Sequence, residues 1–402
     1  MKPLPDRLVS IGRWSACIFS AILLTVALHA VIPPFVIGMV ALRILATEGG
    51  LWIAIAGVIT AVVGLLIPSR KRLKSVTIIM AVVAGFIGVM PLSLIPRTIS
   101  QADSALARAC GPIWNEHIPA IDRNEVRAHA YAIGDAILGL SHAPVIETDV
   151  AIPGADGVVL SGIRYQRSEE GRPQPVIIAM HGGGWSGGSV SEGAACHRYL
   201  AAHGYLVYSI AYRLAPATPF PGALDDVQAA RVWVTAHAAD SGGDPSRLIL
   251  MGRSAGAQLA LVAAYERPDP SIRAVVSWYG PVDLVKGYRE PPWPDPLHVR
   301  ALLRDYLNGT PKDQAVAYVR ASPISYATRA LPPTLLIAAV ADHGVLIGFQ
   351  RQLHDRLEAT GTPVVLLELP WAEHAFDRFP NGPGAQMSLY YLERFLAWAV
   401  SR

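Results

Sequence analysis

The sequence predicts an α/β chain, a mostly parallel sheet with helices on both faces, preceded by a three-helix transmembrane region. Three observations lead there. From residue 144 onward, short unbroken apolar runs alternate with helical patterns, as in a parallel sheet covered on both sides. The first 97 residues hold three long stretches without a charged residue, and soluble core helices seldom run so far uncharged. Finally, Gly252-Arg253-Ser254-Ala255-Gly256 sits between a strand pattern, Arg247–Met251, and an Ala/Leu/Val-rich helical pattern, Ala255–Tyr265.

Composition agrees. The 402 residues exceed what one domain usually holds. Hydrophobic residues make up 52% and charged residues 16%, with mean hydropathy +0.34, too apolar for an ordinary soluble enzyme. Net charge is +3, and no basic run extends beyond residues 70–74, which argues against a nucleic-acid surface. Cys17, Cys110 and Cys196 lack metal-ligand spacing. Cys110 and Cys196 are expected as free thiols, with pairing open only in an oxidising compartment.

The anchor comes first in chain order. Residues 14–32, 49–67 and 76–96 are each long enough to cross a bilayer at 1.5 Å rise per residue. Pro33-Pro34 ends or kinks the first, and Phe35–Leu42 reads as a continuation or an interfacial piece. Arg70, Lys71, Arg72 and Lys74 mark the second loop as cytoplasmic, and Lys2, Arg7 and Arg13 put the N-terminus on the same side. The expected location is therefore the cytoplasmic (inner) membrane, multi-pass, with everything after residue 97 extracytoplasmic. Residues 98–143 mix apolar and charged positions at helical spacing over Asp103–Ala109 and Arg123–Leu140. They read as a helical linker, either a surface pair joining anchor to domain or helices that cover the active site.

Residues 144–402 are expected to form the domain that carries the chemistry. Val145–Ile152 and Val158–Tyr165 alternate like half-exposed strands around a Gly154–Gly157 turn. Val176–Met180, Tyr205–Ile210, Leu248–Met251, Ile272–Trp278, Leu335–Val340 and Val364–Leu369 read as buried strands. Ser191–His203, Ala223–His237, Leu346–Thr360 and Gln386–Ala399 read as helices. Residues 283–328, Pro-rich around 291–296, break the rhythm and are expected as an inserted cap.

The chemistry gathers at strand ends. A serine at the apex of a sharp strand-to-helix turn needs small residues two positions to either side, and Gly252 and Gly256 supply them. Its hydroxyl then stands at a helix N-terminus, which favours developing negative charge. After the Val176 strand comes His181-Gly182-Gly183-Gly184-Trp185, a glycine loop able to turn amide hydrogens toward one point. With the Ala255 amide it would form an oxyanion hole, in which losing one donor typically costs about 3–4 kcal/mol of barrier. A phosphate cradle is the rival reading, but the Lys-Ser/Thr pair that should follow is missing.

A nucleophilic serine needs a base and an acid that orients the base. Asp342 follows the Leu335 strand and His374 follows the Val364 strand, in the order Ser, Asp, His. Asp225 and Asp226 read as helix N-terminal charges or loop ties, Glu373 and Asp377 as loop ties, and His343 as pointing away from Asp342. His181 reads as shaping the glycine loop. Trp185, Trp278, Trp293 and Phe376 are candidates for an apolar pocket or for plain core.

Residues 144–401 resemble the hormone-sensitive-lipase-like branch of the α/β-hydrolase superfamily. The resemblance rests on His181–Gly184, Tyr212–Pro216 with Phe220-Pro221 and Asp225-Asp226, Gly252–Gly256, Asp342 and His374–Phe376. It implies ester hydrolysis through an acyl-enzyme, without cofactor or metal. Ser254 would be nucleophile, His374 base and then acid, and Asp342 its orienting partner, with Gly183, Gly184 and Ala255 as oxyanion donors. Arg253 departs from the acidic residue common before this serine, and Ala257 from the usual third glycine. The expected function is a membrane-anchored serine hydrolase acting on small-molecule or lipid esters, with the bilayer as its other partner. The rival readings are a formamidase-like amidase or methylesterase on the same fold, and a catalytically silent, membrane-tethered binding module.

Overall fold

The computed structural model describes residues 6–112, 114, 126–140, 142–168 and 172–402. Four apolar helices come first: α1 (Asp6–Leu28), α2 (Ile37–Glu48), α3 (Gly50–Leu66) and α4 (Lys71–Cys110), followed by the short α5 (Ile133–Leu138). Then come β1 (Val145–Pro153), β2 (Val159–Arg167), β3 (Gln174–Met180), α6 (Ala194–Ala202), β4 (Leu206–Ile210), α7 (Gly222–His237), β5 (Gly243–Arg253), α8 (Ala255–Glu266) and β6 (Ile272–Trp278). The inserted segment carries α9 (Leu284–Arg289), α10 (Val299–Leu307) and α11 (Ala315–Arg320). The chain closes with β7 (Thr334–Ala339), α12 (Ile347–Ala359), β8 (Val364–Leu369) and α13 (Pro383–Val400).

The eight strands form one sheet in the order β1-β2-β4-β3-β5-β6-β7-β8. β1, β2 and β4 pair antiparallel, and every pairing from β4 to β8 is parallel, with Val176 opposite both Leu206 and Leu248 and Leu336 opposite Leu366. Alternation within each strand divides the core in two. Val176, Ile178, Leu248, Leu250 and Leu336 face α7, α8 and α12. Ile177, Ala179, Ile249, Met251 and Ile337 face α6, α13 and the end of α4. Both faces are thus dry, which is why the strands read as continuous apolar runs. The topology also positions chemistry. It sets the ends of β3 and β5 side by side, and likewise those of β7 and β8.

The N-terminal region departs from the sequence reading in three places. The first helix ends at Leu28 rather than Ile32, because the chain turns through His29–Ile32 before Pro33. Arg43 of α2 donates to the Ile32 carbonyl at 3.1 Å and places a cation at that helix end. Phe35–Leu42 leads into α2, which meets α3 at a 74° bend. Of the described helices, α1 and α4 are each long and apolar enough to cross a membrane, and α2 with α3 passes the same test as one bent pair. Finally, α4 does not stop near residue 97. It continues as one helix to Cys110, so Asp103–Ala109 is its last part rather than a separate helix. From Arg123–Leu140, residues 123–125 lie outside the described region, and only Ile133–Leu138 is helical.

Close backbone packing joins α3 to α4. A Cβ on Gly88 would lie 2.6 Å from the Gly50 carbonyl oxygen, and one on Gly57 would lie 2.6 Å from that of Ala81. Small residues on both helices allow this approach. Arg13 of α1 donates to the Pro68 carbonyl, so the start of α1 and the basic loop after α3 share one end of the bundle. Cys17, Cys110 and Cys196 are free. Replacing Gly88 by valine should overpack this seam by about 1–3 kcal/mol and lower the apparent melting temperature of the detergent-solubilised protein by roughly 1–4 °C. Unchanged melting would refute the close contact.

Candidate active site

β5 ends in a turn whose apex is Ser254, at φ 51° and ψ −117°, a backbone that a side-chain-bearing residue seldom adopts. The conformation is held because Ser254 N–H donates to the Trp278 carbonyl at 2.9 Å, while its own carbonyl accepts from Ala257 and Gln258. A Cβ on Gly252 would strike the Gly256 carbonyl, and one on Gly256 would strike that of His181. Glycine at these two positions is therefore a steric requirement. Behind the serine, α8 is buried from Ala255 to Tyr265 and cannot yield.

The ends of β7 and β8 complete the arrangement. Ser254 Oγ lies 2.9 Å from His374 Nε2. His374 Nδ1 lies 2.9 Å from Asp342 Oδ2 and 3.1 Å from Oδ1. A carboxylate only accepts, so the neutral ring carries its proton on Nδ1 and offers Nε2 to the serine hydroxyl. Asp342 is itself fixed by the amides of Gly344 and Val345, at 2.6 and 2.8 Å. Burial disfavours the charged imidazole, but the carboxylates of Asp342 and Glu373 outweigh it, and the net effect raises the His374 pKa.

Opposite the serine stands the glycine loop after β3. His181 stacks on Tyr212 with ring centroids 4.3 Å apart, and Tyr212 donates to the His181 carbonyl at 2.9 Å. Burial pushes the His181 pKa down, so its ring is a neutral brace. Gly182 N–H is taken by Glu192 at 2.8 Å. Among the described residues, no protein group accepts from the amides of Gly183, Gly184 or Ala255. These three amides therefore keep their hydrogen-bonding capacity unused. No described group of three or more His, Cys, Asp or Glu could hold a metal ion.

The serine and histidine open into a narrow pocket with mostly apolar walls. Leu284, Leu297, Val299 and Leu302 come from the inserted segment, Val345 from the loop before α12 and Phe349 from the first turn of α12. Among the described residues, none of 98–143 lines it, and the inserted segment contributes lining from Asp283 to Leu303. Of the four aromatic candidates only Trp185 lines the cavity, stacked at 4.2 Å on Tyr306. Trp278 and Phe376 are buried behind the site, and Trp293 is exposed.

With this geometry in view, residues 177–378 match the alpha/beta hydrolase fold family. The chain belongs to that family. Among curated relatives, the probable carboxylic ester hydrolase LipM of Mycobacterium tuberculosis is 29% identical over 56% of this chain and 54% of its own length. The esterase LipC of the same organism is 31% identical over 63% of this chain and 67% of its own. The chain thus spans about half of the first relative and two thirds of the second. In structure, an esterase of Pyrobaculum calidifontis superimposes with a TM-score of 0.56 at 23% identity, covering 77% of this chain and 94% of that one. That likeness carries the fold.

The remaining charged candidates of this hydrolase-fold chain hold loops. Asp226 accepts from Arg213 and from the Ala155 amide, tying the Tyr212–Pro216 turn to the β1–β2 hairpin. His343 turns away from Asp342 to Glu373, 2.7 Å from its Nδ1. Asp377 takes Arg253 Nε at 2.5 Å and the Tyr279 hydroxyl. Arg253 is itself buried and lies 5.0 Å from the Trp278 ring centre. Sequence reasoning missed Arg43 and Glu48, which reach this region from α2. Their one signal was charge standing alone between apolar runs.

A proton-accepting Nε2 requires neutral His374. Its raised pKa therefore predicts that phosphonate labelling of Ser254 climbs through a midpoint above the ordinary histidine value of about 6.5 as pH rises. Asp342→Asn should lower the midpoint and slow the reaction by roughly 10⁴-fold. A pH-independent rate would contradict the geometry.

Proposed function

We propose that this chain is a membrane-anchored serine hydrolase that cleaves carboxylic esters through an acyl-enzyme. The carrying observation is the bonded series Ser254–His374–Asp342, with unbonded amides at Gly183, Gly184 and Ala255 and with Gly184 lining the same pocket as Ser254 and His374. His374 Nε2 takes the hydroxyl proton as Oγ bonds to the ester carbonyl carbon, and the three amides receive the resulting oxyanion. When the tetrahedral state collapses, the proton passes from His374 to the departing alkoxide, which leaves as alcohol. A water then attacks the acyl-enzyme with His374 again as base, and the carboxylic acid departs. Asp342 keeps the imidazole in the required tautomer and stabilises its protonated form. The relatives' names, carboxylic ester hydrolase and esterase, support an ester over an amide, and the apolar cavity supports an acyl group on the substrate.

The anchor reading rests on the apolar helices α1 to α4. The basic loop at residues 70–74 and the start of α1, at the same end of the bundle, support a cytoplasmic N-terminus. Passage through α1, the bent α2–α3 pair and α4 would then leave the hydrolase region outside the cytoplasmic membrane.

The test is hydrolysis of p-nitrophenyl esters from acetate to palmitate by the full chain in lipid nanodiscs, beside Ser254→Ala. Turnover should be at least about a thousand-fold lower in the variant, leaving the residue that binding and the oxyanion donors provide. A maximum at short chains means an esterase with a closed pocket, and one at long chains a lipase. Full activity in Ser254→Ala, or no turnover on any ester, would overturn the proposal, the latter in favour of amide substrates or a silent binding module.

A further inference from the structure

We propose that the bent α2–α3 pair is a positioning device for the base, in which Arg43 acts through Glu373 to fix and electrically balance the loop carrying His374. This rests on reading Ser254 and His374 as nucleophile and base. The contact is built at both ends of the loop. Glu48 of α2 accepts from Trp371 Nε1 at 3.1 Å and from the Gly384 amide at 2.7 Å. Five residues earlier on the same helix, Arg43 Nε lies 3.2 Å from Glu373 Oε2, an ion pair without hydrogen-bond geometry. One helix thus grips the segment before His374 and the segment after it.

Glu373 is the relay. Its side chain is fully buried, and Oε1 accepts from the amides of both His343 and His374, each at 2.8 Å. Oε2 accepts from His343 Nδ1 at 2.7 Å. The same carboxylate therefore sets the backbone of the base and of the residue after Asp342. A buried carboxylate without a cation is costly, and Arg43 is the guanidinium that meets it. Arg43 is a positioning residue, since it touches neither substrate nor the reacting atoms.

Its charge should nonetheless be felt at the imidazole. His374 is faced by Asp342 from the β7 end, by the edge of the Tyr279 ring from the β6 end and by Ser254 from β5. From its own loop it is faced by Glu373 and Arg378. Arg43 and His343 act on it through Glu373. Removing Arg43 leaves the Glu373 field unbalanced and favours the imidazolium. Removing the Glu373 charge does the opposite. Opposite shifts from the two halves of one ion pair cannot come from general destabilisation, which changes how much protein reacts but not where its titration is centred.

The experiment follows the rate of Ser254 phosphonylation against pH in the full chain in nanodiscs, with ester turnover alongside. Arg43→Gln should move the midpoint up by about half a unit to one unit, and Glu373→Gln should move it down by a similar amount. Arg43→Lys should restore the wild-type value. The double variant, which leaves no unpaired buried charge and keeps the test readable where Arg43→Gln does not fold, should have the midpoint of Glu373→Gln, because Arg43 acts through that carboxylate. Midpoints that coincide in all variants would overturn the inference, as would a double variant displaced from Glu373→Gln by as much as Arg43→Gln is from the wild type. Labelling of the wild type without ester turnover would sink the ester reading alone. Absence of labelling in the wild type would sink both.

Discussion

The backbone of Ser254 is the constraint on which the site depends. A side-chain-bearing residue at φ 51° and ψ −117° costs on the order of 1–3 kcal/mol, and it persists only where its surroundings leave no alternative. Here they do so from three sides. The strand before it is central in the sheet, the helix after it is buried along its length, and the Trp278 carbonyl at the end of the neighbouring strand holds its amide. The glycines at 252 and 256 are the negative of the same shape. What the strain secures is direction: the hydroxyl points off the sheet edge toward the ends of three other strands. The strand order supplies those ends, and so residues far apart in sequence converge without any of them reaching across the domain.

Around His374 the same economy applies to charge. His374 lies in sequence between two carboxylates, the buried Glu373 and the half-buried Asp377, and each is met by a buried arginine from another element. Arg253 comes from the elbow itself and Arg43 from the apolar N-terminal helices. Removing either partner would leave a lone ion where desolvation costs several kcal/mol. The pairing also accounts for the unusual residue before the serine. An arginine there is tolerated because Asp377 and the face of Trp278 receive it. The departure from the common acidic residue is thus a reversed charge whose partner lies beyond the histidine.

Much of this was legible in the residues, and the reasons are physical. Strands buried on both faces leave continuous apolar runs, so the alternating architecture could be read directly. The glycines at 252 and 256 betray a backbone that only small neighbours permit. Asp342 and His374 stood out because each follows a buried strand. The failures have causes as definite. The fall in hydropathy at residue 97 suggests a boundary, yet hydropathy reports the surroundings of a helix and not its end, and α4 runs on to Cys110. Trp278 and Phe376 carry no mark of which side of the site they face. The contacts of Arg43 and Glu48 join residues more than 300 positions apart, and no local pattern encodes such a pairing.

The continuation of α4 changes what an anchor means here. Its first part is apolar and exposed, with Ile79, Val82 and Phe86 open to the surroundings. Its last part belongs to the core beneath the sheet, where Ala102, Ala105 and Leu106 pack with residues of α13 and β8, and Tyr391 donates to Asp103 and to the Ile99 carbonyl. With α4 read as a membrane span, the hydrolase region is held by a rigid rod that becomes part of its own interior. A flexible tether would confine the site to the bilayer surface but leave its orientation free. A helix shared between span and core fixes orientation as well, and α2 adds a second fixed contact at the loop of the base. The membrane region is then a structural part of the site, and its effect on chemistry is exerted through packing and buried charge rather than through proximity alone.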